Sequence, residues 1–261
     1  GKYLFFLNND TVLTKDCFNF LINTIEKNND ISSVQPKIKN FFNKNLFDYA
    51  GGCGGYIDYL CYPFVKGRIF DSIEEDIGQY DKESKIFWAS GTAFLTRKDV
   101  FNKVEGFDES LFAHMEEIDY HWKCLLLGYD IFSQPNALVY HKGGQTLPYG
   151  SSEKIFLNHR NSMILFLTNN FNLSYSSIMK RIILEKLTVL FYIMKLNLNG
   201  GYAVIKANIW LLLNIKYLRK RKKQFNELYG SDIIISSDLM KKFSVIKKYY
   251  LHQKKKFSNL N

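Results

Sequence analysis

The sequence is short of several features that would have classified it at once. Its four cysteines, Cys17, Cys53, Cys61 and Cys124, lie far apart and form no Cys-x-x-Cys pair. That spacing argues against a zinc cluster. A disulfide framework is foreign to a chain of 261 residues, so buried thiols in a reducing compartment are expected. No charged-then-apolar leader with a cleavage site is visible, which gives the expectation of a cytoplasmic protein. Clean apolar spans of about twenty residues are missing too. "IILEKLTVLFYIMKLNL" is interrupted by Glu185, Lys186 and Lys195, and "YAVIKANIWLLLNIKYL" by Lys206. No recognition helix or RNA-binding motif stands out, so nucleic acid is not an expected partner.

What is present is a basic globular chain. Hydrophobic residues make up 46%, enough for a sizeable core, and 35 Lys and Arg stand against 25 Asp and Glu. A formal charge of +10 suits polyanions, whether nucleic acid, anionic lipid or phosphorylated substrates, and does not choose among them. The chain starts at Gly1 and enters the strand-like run "YLFFL" by residue 3, so sequence is expected to be missing in front.

Residues 1–150 alternate short apolar runs with helical patterns, the mark of an α/β domain with a long central insertion. "YLFFL" reads as a strand buried on both faces inside a parallel sheet. Residues 14–28 suit a helix with Phe18, Leu21, Ile22 and Ile25 on one face. "ISSVQPKIKNF" suits a strand with Pro36 at an edge or bend. Gly51, Gly52, Gly54 and Gly55 open an irregular stretch to about residue 85. "IFWASGTAFLTR" is a strand, and a helix at about 115–127 stops at Gly128 before two short strands. Residues 151–224 change character into apolar helices, broken at Gly200-Gly201, and 225–261 form a basic tail. Helices of this kind beside "RKRKK" (219–223) fit an anionic membrane surface, the alternative being a buried helical subdomain with a solvated tail.

Polar groups fall at three element ends. "NND" (Asn8, Asn9, Asp10) closes the first strand, where α/β sheets bind ligands; it also has the composition of a turn or helix cap. "HMEEIDYHW" brings Glu116, Glu117 and Asp119 together. The positive end of a helix explains such carboxylates, and crowding also raises the pKa of one of them toward a usable base. His141 follows "ALVY" and suits either a packed strand end or a metal ligand. A divalent ion on a diphosphate needs only one or two protein ligands, so Asp10 and His141 would suffice if their strands are neighbours.

The run "LNNDT", then "WASGTAFLTRKDVFNKVEGFDESLFAHMEEIDYHWKCLLLGYDI", then "VYHKGGQT" resembles the inverting, GT-A-fold glycosyltransferase family 2, which includes bacterial rhamnosyltransferases. The likeness covers about residues 1–170. It implies an α/β, Rossmann-like mixed sheet, partial at its N-terminus, followed by a helical, membrane-associating C-terminal region. It implies a nucleoside-diphosphate sugar donor and a glycan or lipid-linked acceptor, in cell-envelope polysaccharide synthesis at the inner face of the membrane.

By this resemblance, "NND" looks like the family's metal motif, with Asp10 and His141 holding Mn²⁺ or Mg²⁺. Asn8, Asn9, Gly91, Thr92 and Arg160 (in "NHRNSM") would meet the donor and its diphosphate. Glu117 would be the base beside Glu116 and Asp119, and Trp88, Tyr120 and Trp122 would face the acceptor. "YAGGCGGYIDYLCYPFVKG" and "QTLPYGSS" are further candidates for acceptor contact. Two departures stand out: Asn8 replaces an acid, and Glu117 replaces the usual Asp. The competing readings are a truncated, non-catalytic membrane-associated paralogue and a metal-dependent phosphoester hydrolase, although the latter lacks a nucleophile motif and a second metal cluster.

Overall fold

The computed structural model describes residues 1–143, 150–230 and 235–260; most of "QTLPYGSS" lies outside the described residues. The chain divides into two compact units. One comprises Gly1–Phe107, Tyr120–Gly143 and Ser231–Asn261, the other Asp108–Asp119 and Gly144–Gly230. This division differs from cuts at 150 and 224 because the chain after the helices folds back into the first unit.

In chain order the first unit begins with β1 (Tyr3–Leu7), β2 (Thr11–Leu13), α1 (Cys17–Ile25) and β3 (Ile31–Asn40). It continues with β4 (Gly55–Asp58), β5 (Pro63–Val65), β6 (Arg68–Ile69), β7 (Ser72–Ile73), β8 (Ser84–Lys85), β9 (Ala93–Arg97) and α2 (Lys98–Lys103). Helix α3 (Glu116–Leu126) ends at Gly128, whose φ of +84° is the left-handed stop expected of it. It leads into one long strand, β10 (Asp130–His141), in place of the two short strands expected.

Among the described residues the main sheet runs β1-β9-β3-β10-β2, with β8 also on β10. β3 and β10 are parallel, whereas β1 and β2 pair antiparallel to β9 and β10. "YLFFL" is therefore half-buried at a sheet edge rather than a central parallel strand. Pro36 in turn sits in a central strand, not at an edge. It pairs with Gln134, where the β10 register shifts, so its missing N–H falls at an irregularity in the ladder.

One face of the sheet packs Ile31, Val34, Ile38, Leu95 and Val139 against Cys17, Leu21 and Ile25 of α1. Cys17, not Phe18, completes that helical face, and Phe18 is exposed, edge-on to Phe5. Elsewhere in the unit, Phe6, Phe94, Phe101, Phe107 and Tyr120 form a continuous ring cluster with centroids 4.9–6.4 Å apart. All four cysteines are buried, and none forms a disulfide among the described residues.

The insertion is not irregular throughout. A second sheet runs β11-β4-β5-β6-β7, in which β11 (Met240–Lys241) comes from the end of the chain and joins β4 in parallel. The expected basic tail is thus folded from residue 235 on. Val245 donates its N–H to Asp58 Oδ2 at 2.9 Å, and Phe257 packs on Tyr56, Phe64 and Tyr80.

The second unit is built on α4 (Ser152–Thr168), α5 (Tyr175–Met194), α6 (Leu198–Leu213) and α7 (Ile215–Tyr229). Ser174 and Ser177 form a capping box at the start of α5, and Asn197 caps α6 by accepting from the Gly200 N–H at 2.8 Å. The break expected at Gly200-Gly201 falls instead at Lys195–Asn197, with Leu196 left-handed at φ +54°. The glycines serve a different purpose. A Cβ at Gly200 would lie 2.7 Å from the Tyr192 ring, so the missing side chain lets α6 approach α5. "RKRKK" lies within α7, and its Arg221 is buried. Among the described residues, no helix is long and apolar enough to cross a membrane.

Candidate active site

In the first unit, Asp10 and His141 meet, although 130 positions of sequence separate them. β2 pairs with the end of β10, aligning Thr11 with His141, and the Lys142 N–H donates to the Asp10 carbonyl at 2.9 Å. The result is His141 Nε2 3.2 Å from Asp10 Oδ1. On the other side of the ring, Nδ1 is 2.9 Å from Asp48 Oδ1. Asp48 is fully buried; its N–H donates to the Ile38 carbonyl, and its Oδ1 also accepts from the Ala50 N–H at 2.8 Å. Its Oδ2 is buried without a hydrogen-bond partner among the described residues. Tyr49 stacks over the imidazole at 6.2 Å. Burial opposes a charge on His141, but the hydrogen bond and charge of Asp48, together with Asp10, outweigh it and raise the ring above its ordinary pKa.

The neighbouring loop completes this corner. The Asn8 N–H donates to the Thr92 carbonyl at 2.9 Å, and the Thr11 hydroxyl donates to the Asn8 carbonyl at 2.7 Å. Asn8 and Asn9 are exposed. Ser90 donates to the Ala50 carbonyl, and Gln35 bridges the Ser90 N–H and the Gly51 carbonyl. Thr92 is buried, while a Cβ built on Gly91 meets nothing within 4 Å, so the backbone there borders open space.

The donor set suits a divalent cation. A carboxylate and an imidazole converge, and the far ring nitrogen is held by a carboxylate, the usual support of a metal-bound histidine. Among the described residues no group of three or more His, Cys, Asp or Glu is arranged to hold a metal. A cation held there would take two ligands from the described residues, with phosphate oxygens and water filling its other positions.

In the second unit, Glu116 and Glu117 occupy the first turn of α3. Both are half-buried. Burial raises the Glu116 carboxyl above the usual carboxylate range. The preceding loop is strained: Phe112, His114 and Met115 have φ of +61°, +66° and +75°. Asn161 holds it. Its amide nitrogen lies 2.8, 2.9 and 2.7 Å from the carbonyls of Leu111, Ala113 and His114. The His114 Nε2 is buried without a hydrogen-bond partner among the described residues, and burial, aided by the charge of Lys154, lowers its pKa to about 4.

Five residues selected from sequence are engaged within the fold by burial or pairing. Asp119 is fully buried, ion-paired with Arg221 at 2.7 Å and bonded to Asn169 at 2.7 Å, which gives it a structural place. Tyr120 and Trp122, expected at the acceptor, are core side chains. The Tyr120 hydroxyl meets Thr96 at 2.6 Å, and Trp122 packs edge-on to Phe87. Trp88 is buried too, with its indole N–H on the Tyr56 carbonyl. Arg160, expected at the diphosphate, donates to Asn161 and to the carbonyls of Ser110 and Leu111 within its own unit.

Three residues went unselected from sequence: Asp48, His114 and Asn161. Asn161 carried a signal, since it follows Arg160 in "NHRNSM". Asp48 carried none beyond its position just before the glycine cluster.

No family model matches the chain. Over 82 residues it is 28% identical to N-acetylglucosaminyl-diphospho-decaprenol L-rhamnosyltransferase of Mycobacterium tuberculosis, in strains CDC 1551 / Oshkosh and ATCC 25618 / H37Rv alike. That match takes in 31% of this chain and 27% of the relative. Among solved structures, the crystal structure of GalNAc-T7 with UDP, GalNAc and Mn²⁺ aligns with a TM-score of 0.48 and 16% identity, over 64% of this chain and 32% of that one. The mixed sheet makes this an α/β chain, and over the partial rhamnosyltransferase match it is similar in sequence to a glycosyltransferase. The chain spans well under a third of the length of that relative.

Proposed function

We propose that this chain transfers a sugar, with inversion, from a nucleoside-diphosphate donor to a glycan or lipid-linked acceptor, at the inner face of a cell membrane and for cell-envelope polysaccharide. The observation that carries the reading is the meeting of Asp10 and His141, with Asp48 behind the ring. A turn or a packed strand end would account for each residue alone. Neither accounts for a carboxylate and an imidazole converging beside a loop that borders open space.

In this reading Asp10 and His141 would hold Mn²⁺ or Mg²⁺, which would supply positive charge opposite a departing diphosphate. Asn8, Asn9, Gly91 and Thr92 border the donor. Glu117 accepts the proton of an acceptor hydroxyl while that oxygen forms a bond to the anomeric carbon. The bond from that carbon to the diphosphate breaks on the opposite side, its electron pair leaving with the nucleoside diphosphate. Asn161 keeps the loop ahead of Glu117 from relaxing, which preserves the base's position.

Titration of the chain with UDP and dTDP, with Mn²⁺ and then with chelator, tests the reading. Metal-dependent binding of either nucleotide supports it; a folded chain that binds neither removes it and favours a non-catalytic relative.

A further inference from the structure

Helices α5 and α6 carry apolar stripes that their own unit leaves uncovered. On α5, Met179, Ile183, Leu187 and Leu190 recur every three or four residues and are all exposed. On α6, Tyr202, Ile205, Ile209 and Leu212 repeat the pattern, and Leu196 in the connection between the helices is 89% exposed. The inner faces are already occupied, by Arg181 and Glu185 on α5 and by Gly200, Ala203, Val204 and Ala207 on α6.

Charge around the stripes has one sign. Between Phe171 and Asn226 the sequence holds a single acid, Glu185. It is buried, pairing with Arg181 at 3.1 Å and His159 at 2.6 Å. Lys180, Lys186, Lys195, Lys206 and Lys216 are all exposed.

We propose that the α5–α6 hairpin is a membrane-surface element that lies in an anionic bilayer, its stripes at the acyl boundary and its lysines among the headgroups. Apolar area with flanking cations and no exposed carboxylate is what such a surface selects. A second copy is a poorer occupant, because a two-fold contact would bring this lysine-rich face against itself. Neither helix is long and apolar enough to cross a bilayer, which is compatible with a place in its surface. The assignment also moves the anchor away from "RKRKK", since Arg221 is turned inward to Asp108 and Asp119. It deepens the membrane part of the function proposed above but stands on the helices alone.

The full chain is sedimented with phosphatidylcholine vesicles, with and without phosphatidylglycerol. The expected result is binding to the anionic vesicles that falls roughly tenfold or more on the neutral ones. Leu187→Glu combined with Ile209→Glu, at two exposed positions, is expected to reduce anionic binding by a similar factor at unchanged melting temperature. Lys186→Gln with Lys206→Gln keeps the stripes and is expected to weaken the dependence on phosphatidylglycerol. Full binding by the glutamate variant, equal binding to both vesicle types, or no binding by the parent chain each overturns the proposal. So does a parent dimer in light scattering that the glutamate variant disperses, which assigns the face to a second copy. Nucleotide titration of the same preparation reports on the donor site separately, so either proposal can fail alone.

Discussion

Asp48 holds the Nδ1 of His141 at 2.9 Å, while the opposite nitrogen of the same ring is 3.2 Å from Asp10. One carboxylate thus fixes the ring, and the other shares its free edge. Asp48→Asn keeps the volume but removes the charge behind the imidazole. Mn²⁺ affinity of the chain, read by electron paramagnetic resonance without substrate, is expected to fall roughly ten- to a hundredfold. Unchanged affinity would leave Asp48 as a packing residue.

Glu117→Gln tests the base directly. Transfer is expected to drop at least about a hundredfold, while nucleotide affinity stays within a few-fold. Turnover at the parent rate would remove Glu117 from the chemistry.

His114 makes a prediction about pH. Burial and Lys154 lower its folded pKa to about 4 from an ordinary 6.5, so between those values the unfolded chain binds a proton that the folded chain does not. The stabilising contribution is complete above pH 6.5, shrinks as pH falls, and is gone below about 4. Melting curves of the parent and of His114→Asn should therefore converge or diverge across that window, with parallel curves counting against the assignment.

Arg221 reaches Asp119 at 2.7 Å and Asp108 at 2.9 Å, and also touches Thr168 and Asn169. Arg221→Met strands the fully buried Asp119 carboxylate. Urea unfolding is expected to show a loss of about 3–5 kcal/mol. A loss below about 1 kcal/mol would mean that the pair is screened like a surface one.

Much of this arrangement was legible in the sequence, for identifiable reasons. Leu21 and Ile25 show helical spacing because α1 has one covered face, although Cys17 rather than Phe18 completes it, and Gly128 marks the end of α3 because only its backbone tolerates the turn there. Asp10 and His141 were readable because each ends an apolar run. Asp48 was not: its partner lies 93 residues away, and nothing local reveals the pairing. Tyr120 and Trp122 looked functional because amphipathic aromatics suit both a core and a sugar, and sequence does not say which way a helix turns them. "YLFFL" misled for a related reason, since half-buried phenylalanines of an edge strand have the composition of a central one.

The parallel pairing of β11 with β4 has a consequence for biosynthesis. Gly55–Asp58 emerges early from a ribosome and Met240–Lys241 late, with the whole helical unit between them. The helices, built from local contacts, can form while the first unit still waits for its closing strand. Until that strand arrives, one side of β4 is an open edge, and a nascent chain stalled before residue 240 would present it to whatever extended segment comes by.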